Sequence, residues 1–175
     1  INDISTWDDV PAVNLYLNTA PKRDNDGWAG THYVNDTARN NVTLTKCAYD
    51  SENVYFYAKC MADITAPEAD NWMRLFISTD DTKPNWEGFN YYVSCFERKL
   101  KVSKGGWSFE DVADIDINLT GDTLVVKVPR NALGQDKLDF SFKWSDNAQR
   151  DGDIMDFYVN GNVAPCGRSA VPVRE

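Results

Sequence analysis

The chain has little that would support the commonest catalytic chemistries. Its one histidine, His32, sits in a polar stretch, which argues against a Ser-His-Asp or Cys-His mechanism. It has no glycine-rich phosphate loop, no Cys-x-x-Cys pair and no metal-finger spacing. No apolar run approaches the length of a membrane span. Positive charge is scarce: 18 Lys and Arg stand against 27 Asp and Glu, for a net charge of -9. Such a surface repels polyanions at long range and no basic cluster reverses it, so neither nucleic acid nor membrane is expected as a partner. Helical periodicity is nearly absent, and no repeat, low-complexity tract or linker divides the sequence. At 175 residues, positions 1–175 read as one domain with a substantial core. The start at Ile1-Asn2-Asp3-Ile4 lacks the charged and apolar regions of a signal peptide, and without Met it suggests a mature or excised domain.

What the chain does have is alternation of apolar and polar residues, rich in β-branched and aromatic types. The clearest runs are Val42 to Tyr49, Val54 to Met61, Met73 to Ser78, Phe89 to Phe96, Leu100 to Ser103, Ile115 to Leu119, Thr123 to Pro129, Leu138 to Trp144 and Ile154 to Val159. Turn chemistry separates them at Asp50 to Asn53, Lys104 to Gly106, Thr120 to Asp122 and Asp151-Gly152. Many short strands at this spacing predict an all-β fold, a two-layer antiparallel β-sandwich of jelly-roll or immunoglobulin-like type. One brief helical turn is expected over Arg130 to Leu133, closed by Gly134. The polar segment Asn18 to Asn41, which carries Gly27, Trp28, Gly30 and His32, reads as a long loop or a strand with a lid-like excursion, where binding commonly resides.

Four cysteines, Cys47, Cys60, Cys95 and Cys166, are even in number. A hairpin folded about Asp50 to Asn53 sets Cys47 opposite Phe56 rather than Cys60, so that pair does not bridge easily. Buried free thiols are the expectation, with a Cys95–Cys166 disulfide as the alternative. Asn-x-Ser/Thr sequons begin at Asn35, Asn41 and Asn118, but so short a pattern does not settle the compartment.

Trp72, Trp86 and Trp107 fall in or beside stretches that read as loops or strand ends. A ring left near solvent forgoes burial, so several of them suggest contact platforms; the alternative for each is a cap over the core edge. Trp7 and Trp144 lie in strand-like contexts, and the core is the better reading for both.

Asp3 to Trp7 followed by Val10 to Val13, then Ala48 to Phe56, then Asn71 to Ile77, resembles the family 9 carbohydrate-binding modules and the wider DOMON-like sandwich group. The resemblance spans most of the chain and implies a discrete β-sandwich commonly attached to a secreted glycoside hydrolase. It further implies that Trp72 clamps a terminal sugar against a late aromatic, for which Trp144 and Tyr158 are both candidates. The family's sugar-bonding carboxylate two residues beyond the tryptophan is replaced by Arg74.

A pyranose packs its C–H face on an aromatic ring and offers hydroxyls to planar donors and acceptors. Trp72 with Asp70, Asn71 and Arg74, and the late strand with Asp146, Asn147, Gln149 and Arg150, supply those types. The expected ligand-binding set is therefore Trp72, Arg74, Trp86, Trp107, Asn147 and Tyr158. The loop Ile77 to Gly88 offers Asp80, Asp81 and Glu87 to a structural calcium ion, the other reading being a solvated acidic turn. In Asp151-Gly152-Asp153-Ile154-Met155-Asp156 a strand would place Asp151 and Asp153 on one face and Asp156 on the other. The Glu-x-Asp-x-x-Glu signature of sandwich glycosidases is missing. No haem is expected, since His32 with Met61, Met73 or Met155 is a poor axial pair for a loop histidine. Together these readings point to a secreted or cell-surface, non-catalytic module that binds polysaccharide or oligosaccharide and is tethered to a catalytic domain. The alternative is a structural or protein-interaction β-sandwich of a multidomain secreted protein, and an enzyme is least favoured.

Overall fold

The computed structural model describes residues 1–15 and 22–175. Its strands, in chain order, are β1 (Asn14–Leu15), β2 (Arg23–Asp26), β3 (His32–Asn35), β4 (Val42–Tyr49), β5 (Asn53–Cys60), β6 (Arg74–Ser78), β7 (Tyr91–Ser94), β8 (Lys99–Ser103), β9 (Phe109–Asp114), β10 (Asp116–Thr120), β11 (Thr123–Pro129), β12 (Asp139–Asp146), β13 (Asn162–Ala164) and β14 (Val171–Arg174). Among the described residues there is one α-helix, α1 (Asp156–Val159). All pairings are antiparallel. They form a five-stranded sheet in the order β1-β4-β5-β11-β10 and a seven-stranded sheet in the order β13-β12-β6-β7-β8-β9, with β14 also on β12. The two sheets pack as a sandwich and do not close into a barrel.

Alternation along the strands makes three apolar layers. Between the sheets lie Phe56, Leu75, Ile77, Val93, Leu124, Val126, Phe142 and Trp144. Outside the larger sheet, residues of opposite parity such as Phe76 and Tyr92 are roofed by loop aromatics. Outside the smaller sheet, Trp7 packs on Tyr57 with ring centroids 5.1 Å apart. Trp7 and Trp144 are core residues as expected, although Trp7 sits in a 3-10 turn rather than a strand. The helical turn at Arg130–Leu133 is present and closed by Gly134. Cys47 faces Phe56 across the β4–β5 pair.

Several expectations need correction. Ile154 to Val159 is not a strand: Ile154, Phe157 and Tyr158 follow an i, i+3, i+4 spacing and press into the outer aromatic layer, so a helical turn buries them better than alternation does. Asp151, Asp153 and Asp156 therefore do not line a strand. In the Asn18 to Asn41 segment, Arg23–Asp26 and His32–Asn35 form a separate two-stranded hairpin, while residues 18–21 lie outside the described residues. The four thiols are free, as expected, but only Cys60 and Cys95 are buried, with Cys47 half-buried and Cys166 exposed. Asn35 and Asn41 are buried, which takes two of the three sequons off the surface.

Candidate binding site

Trp72 is not a platform. Its side chain is 0% exposed, and its Nε1 donates to the Thr65 carbonyl at 2.9 Å. The cause is a local break in strand parity. Leu75 and Ile77 face the core, so Trp72 would point outward in a regular strand. Met73, however, takes φ 42°, and this left-handed kink turns Trp72 and Met73 inward together. The kink is held by Asp146, whose Oδ1 accepts the Met73 N–H at 2.9 Å and whose other contacts include the Arg39 guanidinium at 2.8 Å.

Arg74, Trp86, Trp107 and Tyr158 do come together, on the outer face of the larger sheet. Trp86 is buried there, edge-on to Trp107 with centroids 4.5 Å apart, and its Nε1 donates to Gly152 O at 3.3 Å. A tight turn with positive φ at both Glu87 and Gly88 folds Trp86 back against Phe89, which is why the loop does not leave the ring in solvent. Trp107 and Tyr158 are half-buried in the same layer. Arg74 lies beneath, 5.4 Å from the Tyr92 ring and 5.5 Å from that of Trp107. It donates to Asp70 Oδ2 at 2.8 Å and to Asp151 Oδ1 at 2.7 Å. Asp70 Oδ1 also accepts the Tyr92 and Ser94 hydroxyls at 2.6 and 2.7 Å. Burial raises the Asp70 pKa, but those two hydroxyls and Arg74 more than offset it and hold the carboxyl below its usual range. The network is internally satisfied and pins the sheet face. Asn147 stands apart, in the left-handed region at φ 62°, bridging Asn71 and Asn160 through its backbone N–H and its side-chain amide.

The acidic loop does not gather its carboxylates. Asp80 Oδ1 accepts Thr82 N–H at 2.9 Å and its hydroxyl at 2.6 Å, Asp81 is exposed, and Glu87 is paired with Arg168. Among the described residues, no group of three or more His, Cys, Asp or Glu side chains is placed to hold a metal ion, so these residues do not fit a calcium site. Asp151 is engaged by Arg74, Asp153 accepts Met155 N–H at 2.9 Å, and buried Asp156 accepts the backbone N–H groups of Gln149 and Arg150.

The bare ring is Trp28, at 79% the most exposed large hydrophobic side chain among the described residues. It stands at the tip of the β2–β3 hairpin, where Gly27 N–H reaches Thr31 O at 2.6 Å and Thr31 N–H reaches Trp28 O at 3.1 Å. A side chain at Gly27 would run into Tyr33, whose ring atoms lie 2.3–2.6 Å from the position of such a Cβ. Glycine thus lets Tyr33 close under the tip, where its hydroxyl accepts the Trp28 N–H at 3.4 Å. Below the tip, His32 is clasped between Asp24 Oδ1 at 2.6 Å and Asp26 Oδ1 at 3.0 Å. These two hydrogen bonds raise the His32 pKa above its ordinary value, Asp26 having the larger effect. The root is anchored too: Arg23 donates to the carbonyls of Tyr158, Val159 and Gly161 at the end of α1, and Asn35 Nδ2 to Asn162 Oδ1 at 2.6 Å. The sequence signal was there, a tryptophan between two glycines in a polar stretch, but the strands framing it are too short and polar to show a period.

No protein-family model, curated protein or solved structure matches this chain.

Proposed function

We propose that this domain is a non-catalytic carbohydrate-binding module of a secreted or cell-surface protein, which holds a tethered catalytic domain near polysaccharide. The observation that carries the reading is Trp28, bare on a hairpin fixed at tip and root. An aromatic kept in water at that exposure forgoes about 2 kcal/mol of burial, and a rigid flat ring is the surface that the C–H face of a pyranose packs against. Asp24, Asn25 and Asp26 are exposed on the same hairpin and offer the planar acceptors and amide donor that sugar hydroxyls need, while His32, bonded through both ring nitrogens, orients the two carboxylates. The resemblance to family 9 carbohydrate-binding modules supports the same reading at the level of the sandwich. The ring it assigns to sugar, Trp72, is unsuited by burial, and Trp28 takes its place. Single-site affinity is modest, because a small ligand buries little area, and its use to a linked enzyme is raised effective concentration.

Affinity gel electrophoresis against soluble glucans, xylans and mannans tests this. At least one polymer should retard the wild-type chain and leave Trp28→Ala unretarded. Free migration through all of them, with the chain instead retained by a neighbouring domain of its parent protein, would establish the protein-interaction alternative. Release of reducing sugar would mark an enzyme.

A further inference from the structure

We infer a second saccharide site at the opposite end of the sandwich, in the cleft between the β4–β5 turn and the segment that follows β11. The inference rests on the reading of the domain as a carbohydrate-binding module and makes it bivalent. The cleft has a volume of about 530 Å³ and is lined by Tyr49, Asp50, Ser51, Arg130, Asp136 and Glu175. That size falls within the range of roughly 300–1,000 Å³ typical of small-ligand sites.

Its chemistry is that of a sugar subsite. Tyr49 is 41% exposed, and the Arg130 guanidinium lies 5.9 Å from its ring centroid, which holds the ring from one side. Arg130 is fixed in turn by donating to Asp50 O at 3.2 Å, Asp136 O at 3.1 Å and Glu175 Oε2 at 2.5 Å. The turn itself is tied by Asp50, whose carboxylate accepts the Glu52 and Asn53 N–H groups at 2.8 and 2.7 Å and the Tyr55 hydroxyl at 2.8 Å. The walls are thus set before a ligand arrives, which lowers the ordering cost of binding. Beside the exposed Tyr49 ring the lining offers the Asp136 carboxylate, the Ser51 hydroxyl and the Glu175 carboxylate oxygen that Arg130 and Leu138 N–H leave free, acceptors and a donor of the kind that sugar hydroxyls require. Asp50, Asp136 and Glu175 outnumber Arg130 and the neighbouring Lys137, which acts on Glu175, so the cleft is net negative and favours a neutral sugar over a uronate or sulfated one.

The two sites are held apart by the sandwich. The hairpin is rooted through Asn35 and Asn162 beside the start of β4, where Asn40 and Arg39 bond Asp146, while Tyr49 ends β4. At about 3.4 Å per residue, the eight residues of β4 carry the chain on the order of 25 Å from its start, beside the hairpin root, to Tyr49, so one polymer chain or two neighbouring ones can engage both.

Amide NMR titration of the whole chain with cellohexaose, xylohexaose and mannohexaose tests the inference. At least one sugar should move two separate sets of signals, one around the Trp28 indole and one around Tyr49, Ser51 and Arg130. Tyr49→Ala should erase the second set and spare the first, Tyr49→Phe should keep both, and the thermal midpoints should stay close to wild type because the ring is at the surface. On polymer gels, losing either ring should weaken retention by about a hundredfold or more, the usual yield of bivalency. Shifts confined to the hairpin overturn the second site and leave the first standing. Shifts confined to the Tyr49 cleft uphold this site and overturn the role given to Trp28. No shifts with any of the three sugars overturn both.

Discussion

Two tryptophans make opposite bets at the level of single residues. Trp72 is enclosed and hydrogen-bonded, so Trp72→Ala should destabilise the fold by about 3–5 kcal/mol in urea denaturation. Trp28→Ala should change stability by no more than about 0.5 kcal/mol while weakening glycan retention about a hundredfold or more. A loss of binding with intact stability is the signature of the second and not of the first. Titrating groups offer another test. Lys143 is fully buried outside the larger sheet, donating to Pro165 O and Ser169 O, and burial drags its pKa down to about 7. Because that value lies below the unfolded one, about 10.4, the unfolded chain binds the extra proton between them. Stability therefore rises with pH from about 7 and is lost as pH falls through it. Burial moves Cys47, Cys60 and Cys95 the other way, Cys47 to about 12, so above the unfolded thiol value of about 8.5 stability falls again. The urea midpoint should accordingly peak near pH 8.5. Lys143→Met should flatten the rise, and Cys60→Ala with Cys95→Ala should flatten much of the fall. His32, raised and exposed, opposes the Lys143 rise only slightly.

Among elements, the β2–β3 hairpin stands apart from both sheets and depends on its anchors. Arg23→Ala removes three bonds to the end of α1, so amide exchange over residues 23–35 should quicken while β5, β6, β11 and β12 keep their protection, and glycan retention should weaken with it. The tip also stores strain, since Ala29 sits at φ 53°. Ala29→Gly should raise stability by about 1 kcal/mol without touching Trp28. How far these elements could be read in advance follows from the same physics. Strands that bury one face against the other sheet, Val42–Tyr49 and Thr123–Pro129, print their alternation in the sequence, and its ends coincide with the strand ends to the residue. Arg23–Asp26 is all polar, β13 is three residues long, and β9 carries Glu110 and Asp111 in sequence at a sheet edge, so none shows a period. The site was less legible for a sharper reason. Whether an indole is bare depends on one dihedral at Met73 and on a two-residue turn after Trp86, and neither leaves a mark in hydrophobic patterning.

For the whole molecule, charge decides which polymers can approach. With a net charge of -9 and carboxylates beside both exposed rings, the domain repels uronic-acid and sulfated chains before any contact forms. Stacking of a neutral sugar on a ring involves no net charge, so salt has little to screen. Retention on the neutral polymer that binds should be unchanged from about 0.1 M to about 1 M salt, although the screening length falls from about 10 Å to about 3 Å over that range. Polygalacturonate should give no retention at the lower salt. If it gains some at the higher salt, the rings accept its shape and only the field excludes it. If it gains none, the hydroxyl geometry of the neutral sugar is also being read. Retention on a neutral polymer that fell steeply as salt rose would mean that long-range charge attraction, rather than ring stacking and hydroxyl hydrogen bonds, holds it, and the two aromatic rings would not be the recognition surface.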